Sequence, residues 1–204
     1  SGMSDVANAV QVQRGLGSSK LAISSVGGTV NIVSKTTDKK QGGYVRYMSG
    51  NDSYVKTTAS YDSGLQDNGW AYSVLIDHWQ AHRKYAVGTA GQGQTYFFSV
   101  GKKFNEKHSL NFLLTGSPQW HDQNFSKSKE FYAQNGIKAN TNTDFFEGER
   151  FTERRNFYHK PIANINWDFN INDSMDLSTV MYGSWGRGGG TGGYGRGRVR
   201  YEDS

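Results

Sequence analysis

The feature that most restricts this chain is a two-residue alternation of apolar and polar side chains, held over segments of unusual length. In Trp70 to His82, Trp70, Tyr72, Val74 and Ile76 share one parity and Ala71, Ser73 and Asp77 the other, with Leu75 as an interruption. Residues 94–103 place Tyr96, Phe98 and Val100 on one face, and residues 109–121 set Leu110, Phe112 and Leu114 against Asn111 and Thr115. Residues 157–169 set Ala163, Ile165, Trp167 and Phe169 against Asn164, Asn166 and Asp168. Period two is the signature of a β-strand with two unlike faces. Two shorter segments, 43–50 and 54–61, flank Asn51-Asp52-Ser53 as a hairpin. A last one, 175–185, follows a compact turn at 170–174, with faces that the pattern alone does not separate. Seven strands are expected.

Segments of about 9 to 13 residues exceed the five or six usual in soluble sheets and match a tilted bilayer crossing. The connections at 62–69, 105–108 and 170–174 are short, whereas those at 83–93, 122–156 and from 186 onward are long. Short turns at one end and long loops at the other are the habit of an outer-membrane barrel. Aromatic residues gather at the strand ends, Tyr44, Tyr61, Trp70, Phe104, Trp167 and Phe169 on the short-turn side and Trp79, Trp120, Phe157 and Trp185 on the other. They read as two interfacial girdles. With 26 Gly, 2 Pro and 14% aromatic residues the mean hydropathy is still −0.72, because alternating strands average to a polar mean. No run approaches the roughly 18 apolar residues of a membrane helix. The expected fold is therefore all-β, a transmembrane antiparallel β-barrel. It is partial at about seven strands, because an odd number leaves two unpaired edges at bilayer depth. An aromatic-rich soluble β-sandwich that binds glycan is the alternative.

Several function classes drop out. With no Cys there is no disulfide, thiolate metal site or cysteine nucleophile. The net charge of +5 sits at the ends: residues 1–40 hold five basic and two acidic side chains, residues 41–186 fourteen of each, and residues 187–204 four and two. A strand region without net charge offers no continuous basic face, so nucleic acid is not an expected partner. No Ser-His-Asp or paired-carboxylate arrangement can be placed, so neither an enzyme nor a cofactor is expected. Gly15-Leu16-Gly17-Ser18-Ser19-Lys20 lacks the spacing of a phosphate loop. His78 and His82 lie about 13 Å apart on a strand, too far to share an ion, and no metal site is expected.

The stretch Val10 to Lys35 differs from everything after it. Two short alternating patterns, Val10 to Gln13 and Thr29 to Val33, flank a region rich in Gly and Ser. Val10-x-Val12-x-Arg14-Gly15-x-Gly17, followed by Val26-Gly27-Gly28-Thr29-Val30-Asn31-Ile32-Val33-Ser34-Lys35, resembles the closing segment of the plug domain in TonB-dependent outer-membrane receptors. Leu16, where that family often has Pro, and Lys20 to Ile23, which lacks a common Tyr-Gly, depart from the pattern.

The resemblance implies that residues 1–40 are the C-terminal end of an N-terminal plug and residues 41–204 the first strands and loops of an incomplete barrel of about 22 strands. It implies that Arg14 locks plug to wall by holding barrel carboxylates that lie beyond this chain. Gly15, Gly17, Gly27 and Gly28 would supply the plug turns. The activity implied is import of a scarce solute, such as a siderophore, cobalamin, haem or glycan, across the Gram-negative outer membrane. Energy would come through TonB, which contacts a segment outside this chain. Membrane lipid, lipopolysaccharide and a surface lipoprotein are the other expected partners. Aromatic and imidazole side chains at the long-loop end, Trp79, His121, Phe145, Phe146 and Tyr194, are the ligand-binding candidates. The glycine- and arginine-rich tract from Gly186 reads as a cationic outer loop. A non-transporting barrel subunit of a surface complex is the second functional reading.

Overall fold

The computed structural model describes residues 9–13, 29–33, 35–82 and 85–193. β1 (Ala9–Gln13) and β2 (Thr29–Val33) form a two-stranded antiparallel ladder, with Val10 opposite Ile32 and Val12 opposite Val30. One turn of 3-10 helix, Thr36–Asp38, follows. Then come β3 (Gly42–Ser49), β4 (Val55–Asp62), β5 (Trp70–Ala81), β6 (Gly91–Lys103), β7 (His108–Gly116) and β8 (Gln119–Asp122). A short helix α1 (Lys129–Asn135) and the hairpin of β9 (Thr143–Phe146) and β10 (Glu149–Thr152) precede β11 (Arg155–His159), β12 (Ile162–Asn172), β13 (Met175–Ser184) and β14 (Arg187–Gly190).

One antiparallel sheet runs in the order β3-β4-β5-β6-β7-β12-β13. β8, β11 and β14 prolong β7, β12 and β13 past a break, so the sheet holds the seven strands that the alternation predicts. Among the described residues nothing pairs β3 with β13, and the sheet is open. The chain's two prolines, Pro118 and Pro161, sit at two of these breaks. Proline has no N–H to give to a ladder. Their carbonyls still accept, from the backbone N–H of Gln94 at 3.0 Å and of Trp185 at 3.4 Å.

The register sorts side chains into two faces, because directly opposed residues on antiparallel strands point the same way. Tyr72, Val100, Phe112, Ile165 and Met181 form one cross-strand row, and Val74, Phe98, Leu114, Ala163 and Gly183 the next. On the opposite side Ser73, Ser99, Leu113, Asn164 and Tyr182 align. The register also resolves β13, whose Leu177, Thr179 and Met181 join the apolar rows.

Burial inverts the usual order. The apolar face is open, with Val45 at 80%, Ile76 at 52% and Met181 at 69% of full exposure. The polar face is covered: Thr58, Ser73, Asp77, Thr95, Ser99, Asn111, Thr115 and Asn164 are buried. We call these the outer and inner faces. Leu75, the residue that breaks the alternation of β5, explains itself here. It lies fully buried on the inner face against Phe97, with Leu113 packed beside them.

Two aromatic positions correct the girdle expectation. Tyr44 pairs with Ser60, which pairs with Leu75, and so points to the inner face, where the Arg46 guanidinium lies 4.9 Å from its ring. Trp79 shares the parity of Leu75 and Asp77 and is also an inner residue. Trp70, Tyr61, Trp167 and Phe169 keep the outer face on the short-turn side, as do Trp120 and Phe157 at the other end. The region 122–156, read as one long loop, instead contains α1 and a hairpin. Ser128 caps α1 by accepting from the N–H of Phe131, and Gly136 ends it at φ 86°.

Leu75→Ala or Phe97→Ala removes half of the inner apolar pair and should cost about 2–5 kcal/mol, measured by denaturant unfolding. Gly69→Ala should also destabilise, since Gly69 has φ 80° and a Cβ there would lie 2.3 Å from the Lys103 carbonyl oxygen.

Candidate functional site

Three regions of this sheet carry chemistry: its outer apolar face, the inner face with the segment that crosses it, and the long-loop end. The outer face is a belt. On β12 and its approach, Phe169, Trp167, Ile165, Ala163 and Pro161 follow one another at every second position. At about 3.3 Å per residue and a tilt near 40° that run spans roughly 20 Å of height, close to the apolar band of a membrane barrel. At its short-turn edge Trp70 stacks on Tyr72 with ring centroids 6.2 Å apart, and Trp167 stacks with Phe169 and His108. Lys102 lies 4.9 Å from the Trp70 ring and gives its Nζ proton to the Asn68 carbonyl at 2.6 Å. A lysine that lays its stem along an apolar surface and turns its charge to the rim is snorkelling.

On the inner face the segment Lys35 to Lys39 crosses from β12 to β4. Lys35 pairs with Asp168 at 2.9 Å and Lys39 with Asp62 at 3.1 Å. Between them Thr36 is buried, its N–H donating to Asn111 Oδ1 at 3.0 Å and its hydroxyl meeting that of Ser99. Gly101 makes room, since a Cβ there would lie 2.8 Å from the Thr37 methyl. The Lys39 ammonium also lies 5.4 Å from the Phe97 ring. The brace thus ties the strands of the sheet to the link that follows β2.

Higher on this face Asp77 is sealed in, its side chain 1% exposed, with the Lys56 ammonium at 3.3 Å. That ammonium faces Oδ2, while Asp77 Oδ1, Thr58 Oγ1 and Asn164 Oδ1 have no hydrogen-bond partner among the described residues. Buried acceptors left without donors are costly, so this face suits a polar filling and not an oily one.

At the long-loop end Arg155 grips Asp122 with two hydrogen bonds, Nε at 2.7 Å and Nη2 at 3.2 Å, and lies 4.1 Å from the Trp120 ring. The Asp122 carboxylate holds this guanidinium above its ordinary value. A raised base contributes stability that is present below its unfolded value and lost only as pH rises through the folded one, so the guanidinium stays charged at any working pH. Asn140 and Asn142 tie the loop inward, donating to the Gln123 carbonyl at 3.2 and 3.0 Å, and Asn140 also to the Val87 carbonyl at 2.9 Å.

The candidate ligand residues separate into groups. Trp79 and His121 come together around Gly91, where a Cβ would lie 3.1 Å from His121 Cβ and 3.2 Å from the Trp79 indole. Phe145 and Phe146 sit instead on β9, Phe145 beneath the Arg150 guanidinium at 4.4 Å and Phe146 exposed. Arg14, Gly15, Gly17, Gly27, Gly28 and Tyr194 lie outside the described residues. Asp122, Arg155 and the row around Trp120 and His159 were not singled out from sequence as site residues. The only signal was the charged cluster Glu153-Arg154-Arg155 at the end of the loop. Neither a scan of protein-family models nor a search of curated proteins returns a match for this chain.

Arg155→Ala should loosen the connection between β8 and β11. Limited proteolysis within residues 123–154 should quicken several-fold, while Arg155→Lys, with a point charge in place of the two-pronged contact, should fall between the two.

Proposed function

We propose that this chain forms part of the wall of a Gram-negative outer-membrane β-barrel of the TonB-dependent transporter kind, with its first 40 residues belonging to the plug. The observation that carries the reading is the inverted sheet: an apolar belt faces outward and buried polar side chains face inward. In a soluble sandwich that belt would lie beneath a second sheet, and among the described residues none covers it. A bilayer outside and a polar filling inside satisfy both faces at once.

The brace fits the junction of plug and wall. Partly exposed ion pairs are worth about 0–1 kcal/mol each, so Lys35–Asp168 and Lys39–Asp62 position the link without welding it. A plug held by Arg14 and by such contacts seals the pore at rest and can be shifted when energy arrives through TonB. Solute capture then falls to the long-loop end, at Trp79 and His121 on the inner face and at Phe145 and Phe146 on the β9–β10 hairpin, with Tyr194 a candidate on its sequence alone. Capture tight enough for a scarce solute requires work for release, which is why such a barrel needs an energy source. On this reading the chain is not an enzyme.

The absence of native cysteine makes single-cysteine scanning clean. Spin labels at Ile76, Phe98, Phe112 and Ile165 should be relaxed by oxygen dissolved in lipid, and labels at Ser73, Thr95, Asn111 and Asn164 should not. Equal accessibility on both parities would sink the membrane reading. For transport, solute uptake by cells carrying the whole protein should vanish when TonB is removed. A stable barrel whose loss leaves uptake of every tested solute class unchanged would instead favour a structural subunit.

A further inference from the structure

Where the outer belt ends at the long-loop side, the sheet opens a cleft of about 360 Å³ on its outer face. Gln92, Gln94, Trp120, Phe157, His159 and Arg187 contribute to its lining, which holds no carboxylate. The register explains the assembly: Gln92 opposes Trp120, Trp120 opposes Phe157, and His159 opposes Arg187. The break at Pro118 lies between β7 and β8 at the floor. Three observations bear on an occupant.

Charge is the first. The Arg187 side chain is exposed, and its guanidinium makes no hydrogen bond or ion pair among the described residues. The carboxylate one row above, Asp122, is already taken by Arg155. A cation and side-chain amide donors without a competing acid make an anion site, and a guanidinium matches phosphate by its fork of N–H groups.

Apolar surface is the second. Trp120 and Phe157 form one wall, and directly below the cleft the belt continues through Tyr96, Phe98 and Leu114. A soluble anion has no use for that wall, whereas the chains of a lipid would lie along it.

The third is order. Tyr96 donates to or accepts from His159 Nε2 at 2.8 Å, with the rings edge to face, so the imidazole is fixed at the boundary between belt and cleft. Gly116 permits this contact, because a Cβ there would lie 2.5 Å from the Tyr96 hydroxyl.

We propose that this cleft binds the phosphate headgroup of an anionic lipid in the outer leaflet, with Arg187 on the phosphate and the acyl chains along the belt. The inference rests on the membrane reading above and adds a residue-level lipid site to it. A zwitterionic lipid is disfavoured, since its ammonium would face Arg187.

The test uses the whole protein in nanodiscs of phosphatidylcholine with a minor share of phosphatidic acid, reading the lipid that stays bound after detergent extraction. Wild-type protein should enrich phosphatidic acid about tenfold over its share in the disc, the size of one charge-assisted contact. Arg187→Gln should fall to parity, Arg187→Lys should keep part of the preference, and Arg46→Gln, on the inner face, should leave it unchanged. Inorganic phosphate should not displace the bound lipid. Equal enrichment by wild type and Arg187→Gln, or displacement by inorganic phosphate, overturns the proposal. If labels at Ile76 and Phe98 report lipid while no enrichment occurs, this proposal fails and the membrane reading stands. If those labels report water, both fail.

Discussion

The constraint on which the rest of this structure depends is the strict two-residue period of side chains on strands that share one register. Once Val74, Phe98 and Leu114 are placed opposite one another, every second residue for four turns of pleat is committed to the same side. A slip of β5 by one residue against its neighbours would put Ile76 among buried polar groups and Asp77 in the belt. The two-faced pattern therefore fixes register, and register fixes which face wants a polar medium and which an apolar one.

That commitment explains why so little of the molecule looks like an ordinary core. Among the described residues the buried apolar cluster is Leu75 and Phe97 with Leu113 beside them. Most other cover on the inner face is hydroxyl, amide and carboxylate. Such a face is held by specific pairings: Thr36 with Asn111 and Ser99, Lys39 with Asp62, Lys56 with Asp77. Each is individually weak or offset by desolvation. The value of those made by Thr36 and Lys39 lies in placing the Lys35 to Lys39 link on one line across the sheet, and in the proposed barrel that line is where the plug leaves the wall.

At the long-loop end the physics changes. Prolines interrupt the ladder at Pro118 and Pro161, and beyond them the strands carry Trp120, Arg155, His159 and Arg187 in place of aliphatic residues. The Asp122–Arg155 pair is made of residues at opposite ends of a 32-residue insertion, so it clasps the loop's two stems while α1 and the β9–β10 hairpin fold within them. Rigid stems with exposed aromatic tips are a sound base for recognition, because loop entropy is lost before a ligand arrives.

Sequence by itself determined the all-β class, the seven alternating segments, the face membership of Trp70 to Ile76, Leu110 to Leu114 and Ala163 to Phe169, and the alternation of short and long connections, but not the β9–β10 hairpin inside the longest of them. These are local properties, written in period and turn chemistry. It missed α1, although Ser128 and Gly136 bracket that helix as cap and stop, because seven residues give too short a period to see. Only the tertiary structure decided that Tyr44 and Trp79 belong inside, that β13 turns Leu177 and Met181 outward, and that Leu75 meets Phe97. The same holds for Asp122 with Arg155 and for His159 beside Arg187. Each depends on which residue a neighbouring strand sets opposite, and pairing between strands is a property of register across the sheet, not of any one segment.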